Sequence, residues 1–213
     1  FTRSAYTGDA VMVALEHDLV REPGSLFDIS NVTSQLIAIV VQRAVGKPVQ
    51  EYFLERLWQP IGADRGSFFM DRADGIIHID CCFRTTPRNW MRVGALLLND
   101  GVSNGKRVLP EGWVETMTTS SPRNPNYGMH IWLGREYVPI RPYSEIHPVG
   151  VPHAEPFLSD DVYFIEGGGY RTLYVVPSED LLILRLGKRH DDWDSSYLPN
   201  RVGEGILAET VAP

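Results

Sequence analysis

The sequence predicts an α+β protein. Two observations carry that reading: apolar residues recur at helical spacing through about the first 125 positions, and three short β-rich runs separated by turn residues fill the last third. A third bounds it, because 213 residues, 43% hydrophobic and 22% charged, are enough for one domain, or one domain and a lobe, with a real core.

The elements follow in order. Val11, Ala14 and Leu15 suggest a modest helix over residues 9–20, ended by Pro23-Gly24. Ser30 or Asn31 caps a second helix to about Val45, apolar over most of its circumference and therefore expected to be buried, with Gly46 as its stop. Pro48 suits the start of a third, with Tyr52, Phe53, Leu57 and Trp58, which Pro60-Ile61-Gly62 ends. Residues 67–70 and 76–79 read as short strands, and Thr86-Pro87 opens a helix through Trp90, Val93, Leu97 and Leu98 to Asn99. Residues 100–105 form a turn, Pro110 opens a short helix, and 127–133 is strand-like. Prolines without periodicity make 134–159 an irregular surface excursion. Runs at 162–165, 172–176 and 181–186 then read as an antiparallel meander, followed by a final helix over about 199–208.

Composition excludes several functions. Twenty Lys and Arg against 27 Asp and Glu give a net charge of -7, with no basic stripe to track a nucleic-acid backbone. No apolar run is long enough for a membrane helix. Cys81 and Cys82 are adjacent, which rules out a disulfide framework and disfavours a structural zinc site. The chain opens at Phe1, without a methionine or a signal-like stretch, and reads as part of something longer.

Several motifs resemble chemistry. Gly101-Val102-Ser103-Asn104-Gly105 matches G-x-S-x-G, and Ser103-Asn104-Gly105-Lys106 matches S-x-x-K. The first needs a strand before the serine and the second a helix through it, whereas Asn104 and two glycines favour a surface turn. Cys81 or Cys82 could offer a thiolate to His78, but adjacent strand residues face opposite ways, and such cysteines usually serve as small hydrophobes. His190-Asp191-Asp192 with Asp194 looks ligand-rich but lacks the glycine turn and distal carboxylate of a calcium loop, so a solvated turn is expected. His17, His130, His147 and His153 form no ligand pair, so no metal or cofactor is expected. Gly167-Gly168-Gly169 lies between strands, which implies a tight turn or a close approach of a ligand to backbone.

As an ordered set, the segments resemble the C-terminal part of serine hydrolases related to class C β-lactamases, penicillin-binding proteins and their esterase and amidase relatives. The segments are Pro23-Gly24-Ser25-Leu26-Phe27-Asp28-Ile29-Ser30-Asn31 with its helix, Leu57-Trp58-Gln59-Pro60-Ile61-Gly62, Thr85-Thr86-Pro87-Arg88-Asn89-Trp90 through Asp100-Gly101 to Pro110-Glu111-Gly112-Trp113, Tyr127-Gly128 with Trp132, and Tyr174-Val175-Val176-Pro177-Ser178. The resemblance implies a helical lobe (about 1–125) against C-terminal antiparallel strands and a final helix (about 126–213), acyl transfer through a covalent acyl-enzyme, and a periplasmic or extracellular setting. It implies a small ester or amide substrate, no cofactor, and no catalytic residue fully in place here: the S-x-x-K serine and lysine and the first strands lie outside these residues.

Mapped residue by residue, the family's Tyr-x-Asn falls on Ile29-Ser30-Asn31, keeping Asn31 and losing the phenol. Its third element falls on Ile165-Glu166-Gly167, with the Gly168 N–H at the oxyanion position. The resemblance makes Asn31, Glu166, Gly167, Gly168, Tyr170 and Tyr127 the substrate-binding residues, expected on one concave surface. Ser30 reads as a helix cap rather than a substitute nucleophile. Glu166 could enter the site or face solvent, and solvent is expected because unpaired carboxylates are seldom buried. Two functions stay open: a hydrolase completed by an S-x-x-K segment, and a catalytically dead binding module of the same fold. The bare sheet edge implies a complementing segment or a second copy as partner.

Overall fold

The computed structural model describes residues 9–211 other than His17, Val20 and Pro148. They form two compact units that divide between Arg92 and Val93.

In the first unit, helix α1 (Ala10–Leu15) begins at Asp9, whose carboxylate accepts from the Met12 N–H at 2.9 Å. It is shorter than the sequence suggests; Phe1, His17 and Val20 lie outside the described residues. Helix α2 (Asn31–Val45) ends where Gly46 turns left-handed at φ 68°, a geometry that costs glycine little.

The expectation that α2 is buried all round does not hold. Ala38 and Ile39 are buried in a cluster with Ala10, Ala14, Val49, Ile76 and Ile77, and Gln35 is buried as well, while Val40 is 64% exposed and Ile37 is also exposed. A single packed face absorbs only one stripe of a helix this apolar.

Helix α3 (Val49–Phe53) runs into a π-helical turn (Leu54–Trp58). The rings of Phe53, Trp58, Phe68 and Phe83 meet beside it at 4.5–5.6 Å between centroids. Strand β1 (Gly66–Ser67) pairs with β2 (Arg84–Thr85). The strands expected at 67–70 and 76–79 reduce to one bridge between Met70 and Ile77. The cause is Gln35, whose amide takes a neighbouring strand's place: its Nε2 donates to the Ile77 carbonyl at 2.9 Å, and its Oε1 accepts from the Ile79 N–H at 3.2 Å.

Helix α4 (Pro87–Leu98) starts as expected, with Pro87 in its first turn and the Thr86 hydroxyl accepting from the Asn89 N–H.

In the second unit, β3 (Val102–Ser103) and β4 (Lys106–Arg107) form a hairpin turned by Asn104 and Gly105, both at positive φ. A short α5 (Trp113–Met117) follows. The run at 127–133 is not one strand. Tyr127 bridges back to Trp132, so the chain doubles on itself and leaves only β5 (Trp132–Leu133). The irregular excursion contains a hairpin, β6 (Ile140–Pro142) with β7 (Gly150–Pro152).

The meander is present as β8 (Tyr163–Gly167), β9 (Arg171–Val176) and β10 (Leu181–Arg185). With β5 it makes a four-stranded antiparallel sheet in the order β10-β9-β8-β5. Side chains alternate across it: Tyr163, Ile165, Val175 and Leu133 pack with Leu97 and Ile131 on one face, while Trp132, Phe164, Glu166 and Tyr174 share the other. Helix α6 (Tyr197–Val211) completes the described chain, and no described helix is long and apolar enough to cross a membrane.

Candidate functional site

Asn31 is the first residue of α2. Ser30 stands in extended backbone at the cap position, but its hydroxyl makes no capping bond; its carbonyl accepts from the Ser34 N–H instead. One turn along the same helix face, Gln35 pins residues 77–79, and this brings Asp80 to Asn31. Asn31 Nδ2 donates to Asp80 Oδ2 at 3.0 Å, and Asp80 Oδ1 lies 3.0 Å from His78 Nδ1. The His78 and Asp80 side chains are 2% and 1% exposed. A buried carboxylate thus holds an imidazole on one oxygen and the Asn31 amide on the other, fixing the amide with its carbonyl end available as an acceptor. Ile29, at the position of the family's tyrosine, is partly exposed and can transfer no proton.

Sequence reasoning missed Asp80. The available signal was His78-x-Asp80, two residues apart on irregular backbone. Cys81 follows directly and is bonded to Cys82 in a vicinal disulfide. Neither cysteine is the buried hydrophobe expected: Cys81 is half-buried and Cys82 exposed at φ 72°.

The second unit carries the other candidates on the β8–β9 hairpin. Gly167 ends β8 opposite Arg171, and residues 168–170 make the turn with Gly169 and Tyr170 at positive φ. Arginines grip this tip: Arg185 donates to the Gly169 and Tyr170 carbonyls at 3.0 and 2.8 Å, and the Arg189 guanidinium lies over the Tyr170 ring. Gly167 and Gly168 are exposed, and nothing lies within 4 Å of where a Cβ on Gly168 would sit, so that backbone can be approached closely.

Glu166 is a correction. Its side chain is 2% exposed and does not face solvent. Arg141, 1% exposed, donates to its Oε2 at 2.8 Å, and the Tyr143 hydroxyl donates to its Oε1. Arg141 also donates to Ser195 Oγ at 2.9 Å, and its guanidinium lies 4.0 Å from the Trp132 ring centroid and 4.8 Å from that of Phe164. The general rule about unpaired carboxylates does not apply, because this one is paired. Burial first and the Glu166 charge second push the Tyr143 phenol far above its ordinary pKa. Arg141 and Tyr143 come from a stretch the sequence marks only as irregular, so neither was legible as a partner.

Tyr127 connects to the same cluster through Trp132, the two rings meeting edge to face at 4.7 Å, and burial pushes its phenol up to about 12. The second unit thus carries Tyr127, by its Trp132 contact, and Glu166 in the Arg141 cluster, and carries Gly167, Gly168 and Tyr170 at the β8–β9 tip. Asn31 belongs to the first unit, with Asp80 and His78.

The remaining motifs carry no such geometry. Ser103 sits across a hairpin from Lys106, with neither the strand-to-helix elbow nor the helical turn its motifs require. His190, Asp191 and Asp192 are exposed, while Asp194 accepts from the Ser196 and Ala154 N–H groups. Among the described residues, the group whose donor atoms could share one ion is His78, Asp80 and Cys81.

No family model matches the chain. Over 97 residues, 46% of this chain and 25% of the relative, it is 29% identical to the 6-aminohexanoate-dimer hydrolase of Paenarthrobacter ureafaciens. In three dimensions it is similar to a Bacillus anthracis protein assigned as a 6-aminohexanoate-dimer hydrolase, with TM-score 0.71, 22% identity, and 94% of this chain and 49% of that one covered. It is also similar to a Bacteroides dorei protein assigned as a β-lactamase, with TM-score 0.65, 18% identity, and 94% and 62% covered. The chain spans a quarter of the curated relative and about half of the first of these structures. Its fold is the α+β, β-lactamase-like fold of these structures, as the ordered segments of the sequence implied.

Proposed function

We propose that these residues form the substrate-binding part of a serine hydrolase that cleaves an ester or amide through an acyl-enzyme, with the serine and lysine of an S-x-x-K element contributed from outside the 213 residues. The observation that carries the reading is Asn31. A buried carboxylate orients its amide beside a segment that Gln35 latches to the helix, an arrangement suited to receiving a substrate amide or ester group.

In the second unit, the exposed Gly168 N–H serves as an oxyanion donor, Gly167 allows close approach, and Tyr170 and Tyr127 border the substrate. Glu166 acts through the strand, by holding β8 against Arg141, rather than by touching substrate. The curated relative's name points to an amide of an amino acid as the substrate class.

A second reading, a binding module without turnover, is supported by Ile29 at the tyrosine position. A fluorophosphonate probe separates the two. The full-length polypeptide is expected to be labelled covalently and to turn over a nitrophenyl ester and a linear aminohexanoate dimer, while the 213 residues alone do neither. Turnover by the 213 residues that Ser103→Ala abolishes would overturn the proposal, and a full-length polypeptide that binds the dimer without labelling or turnover would favour the binding module.

A further inference from the structure

The described residues hold one nitrogen, one oxygen and one sulfur donor within 4.8 Å of one another, on His78, Asp80 and Cys81. All three lie within four consecutive positions, and the Gln35 bonds to Ile77 and Ile79 fix the backbone that carries them. His78 Nδ1 and Asp80 Oδ1 already stand 3.0 Å apart, a separation two ligands of one small cation can keep. A mixed imidazole, carboxylate and thiolate set suits a borderline-soft divalent ion such as Zn2+ and is a poor choice for Mg2+ or Ca2+.

The sulfur is available only in one redox state. As the chain stands, Cys81 Sγ is bonded to Cys82 Sγ, so it offers no thiolate. Cys82 is exposed, which gives an external thiol access to the bond.

We infer that His78, Asp80 and Cys81 form a redox-gated three-ligand site for Zn2+ or a similar divalent cation. A dithiol reductant opens the Cys81–Cys82 bond: it supplies two electrons and two protons, both cysteines become thiols, and the dithiol leaves as its own disulfide. The cation then displaces the Cys81 thiol proton and the proton shared by His78 and Asp80, and both pass to water. Oxidation of the pair removes the sulfur ligand, and cation occupancy in turn protects Cys81 from oxidation. The signal in the sequence was the adjacency of the cysteines, which argues against a structural zinc site of four protein ligands and is silent on a three-ligand site.

The test uses Co2+ as a spectroscopic probe on the 213-residue chain, with circular dichroism as a control for folding. Alkylation is expected to modify two thiols after phosphine reduction and none before. Reduced protein is expected to give a thiolate-to-cobalt charge-transfer band that Zn2+ displaces, and oxidised protein none. Cys82→Ser, which leaves Cys81 unable to form the disulfide, is expected to show the band without reductant. Cys81→Ser is expected to lose it, and His78→Gln to weaken binding about tenfold or more. The inference is overturned by two free thiols before reduction, by an equal band in oxidised or Cys81→Ser protein, or by no band in reduced protein and Cys82→Ser alike.

Discussion

The Asp80 and Glu166 neighbourhoods each turn on a buried carboxylate, and they use it in opposite ways. Asp80 sits on irregular backbone and passes one oxygen to the half-buried Asn31 amide at a helix start and the other to His78, which is itself buried beside a half-buried cysteine. Glu166 sits in a strand, and both its oxygens are closed off by Arg141 and Tyr143 beneath the rings of Trp132 and Phe164. A buried carboxylate therefore does not mark a site by itself. What it holds in position, and whether that group can be approached, decides.

The largest effect expected from this contrast is on stability in the second unit. Arg141→Ala or Glu166→Ala leaves a charge buried without its partner and is expected to cost about 3–5 kcal/mol in urea unfolding followed by tryptophan fluorescence. The double replacement Arg141→Met with Glu166→Leu is expected to recover most of that loss. Single variants within about 0.5 kcal/mol of the parent would mean the pair is solvated after all.

In the first unit the corresponding change is milder. Gln35→Ala strands the Ile77 carbonyl and the Ile79 N–H and is expected to cost about 1–3 kcal/mol, with faster amide exchange confined to residues 76–80. Protection unchanged there would remove the latch from the account of how Asp80 reaches Asn31.

The smallest effect is on pH dependence. His153 is buried with both ring nitrogens unpartnered, packed against Tyr137 and Phe157. Burial first and the Arg141 charge second hold its pKa below the ordinary histidine value, outweighing the opposite pull of Asp194 and Glu155. The folded state therefore binds fewer protons than the unfolded chain in mild acid. Stability is full above the unfolded pKa of about 6.5 and falls as pH drops through and below it, by at most about 1.4 kcal/mol per pH unit. His153→Phe is expected to flatten that slope in denaturation measured between neutral and mildly acid pH, and an unchanged slope would place the titration elsewhere.

The parts of the fold legible in the sequence were those with local causes. The stop of α2 follows from Gly46, the start of α4 from Thr86-Pro87, and the meander from short β-rich runs between turn residues, while α2 starts after Ser30 as expected but without a capping bond from its hydroxyl. The parts that failed have causes distant in the chain. Residues 76–79 look like a strand, yet the Ile77 carbonyl and the Ile79 N–H are taken by a helix side chain more than 40 positions earlier. Glu166 looks solvent-bound until Arg141 arrives from a hairpin that proline-rich sequence conceals. In the candidate site, Asn31 and the glycines could be named from ordered motifs, whereas Asp80 belongs to no motif and is visible only through the bond it makes.

The central claim is that Asn31, oriented by Asp80, contributes to acyl transfer. It is tested most directly by the kcat for ester hydrolysis of full-length polypeptide carrying Asn31→Ala, measured beside its thermal midpoint. The account expects kcat to fall about 10²-fold, the scale of losing one positioned polar group at a developing charge, with the midpoint unchanged. A variant that turns over at the parent rate would contradict it.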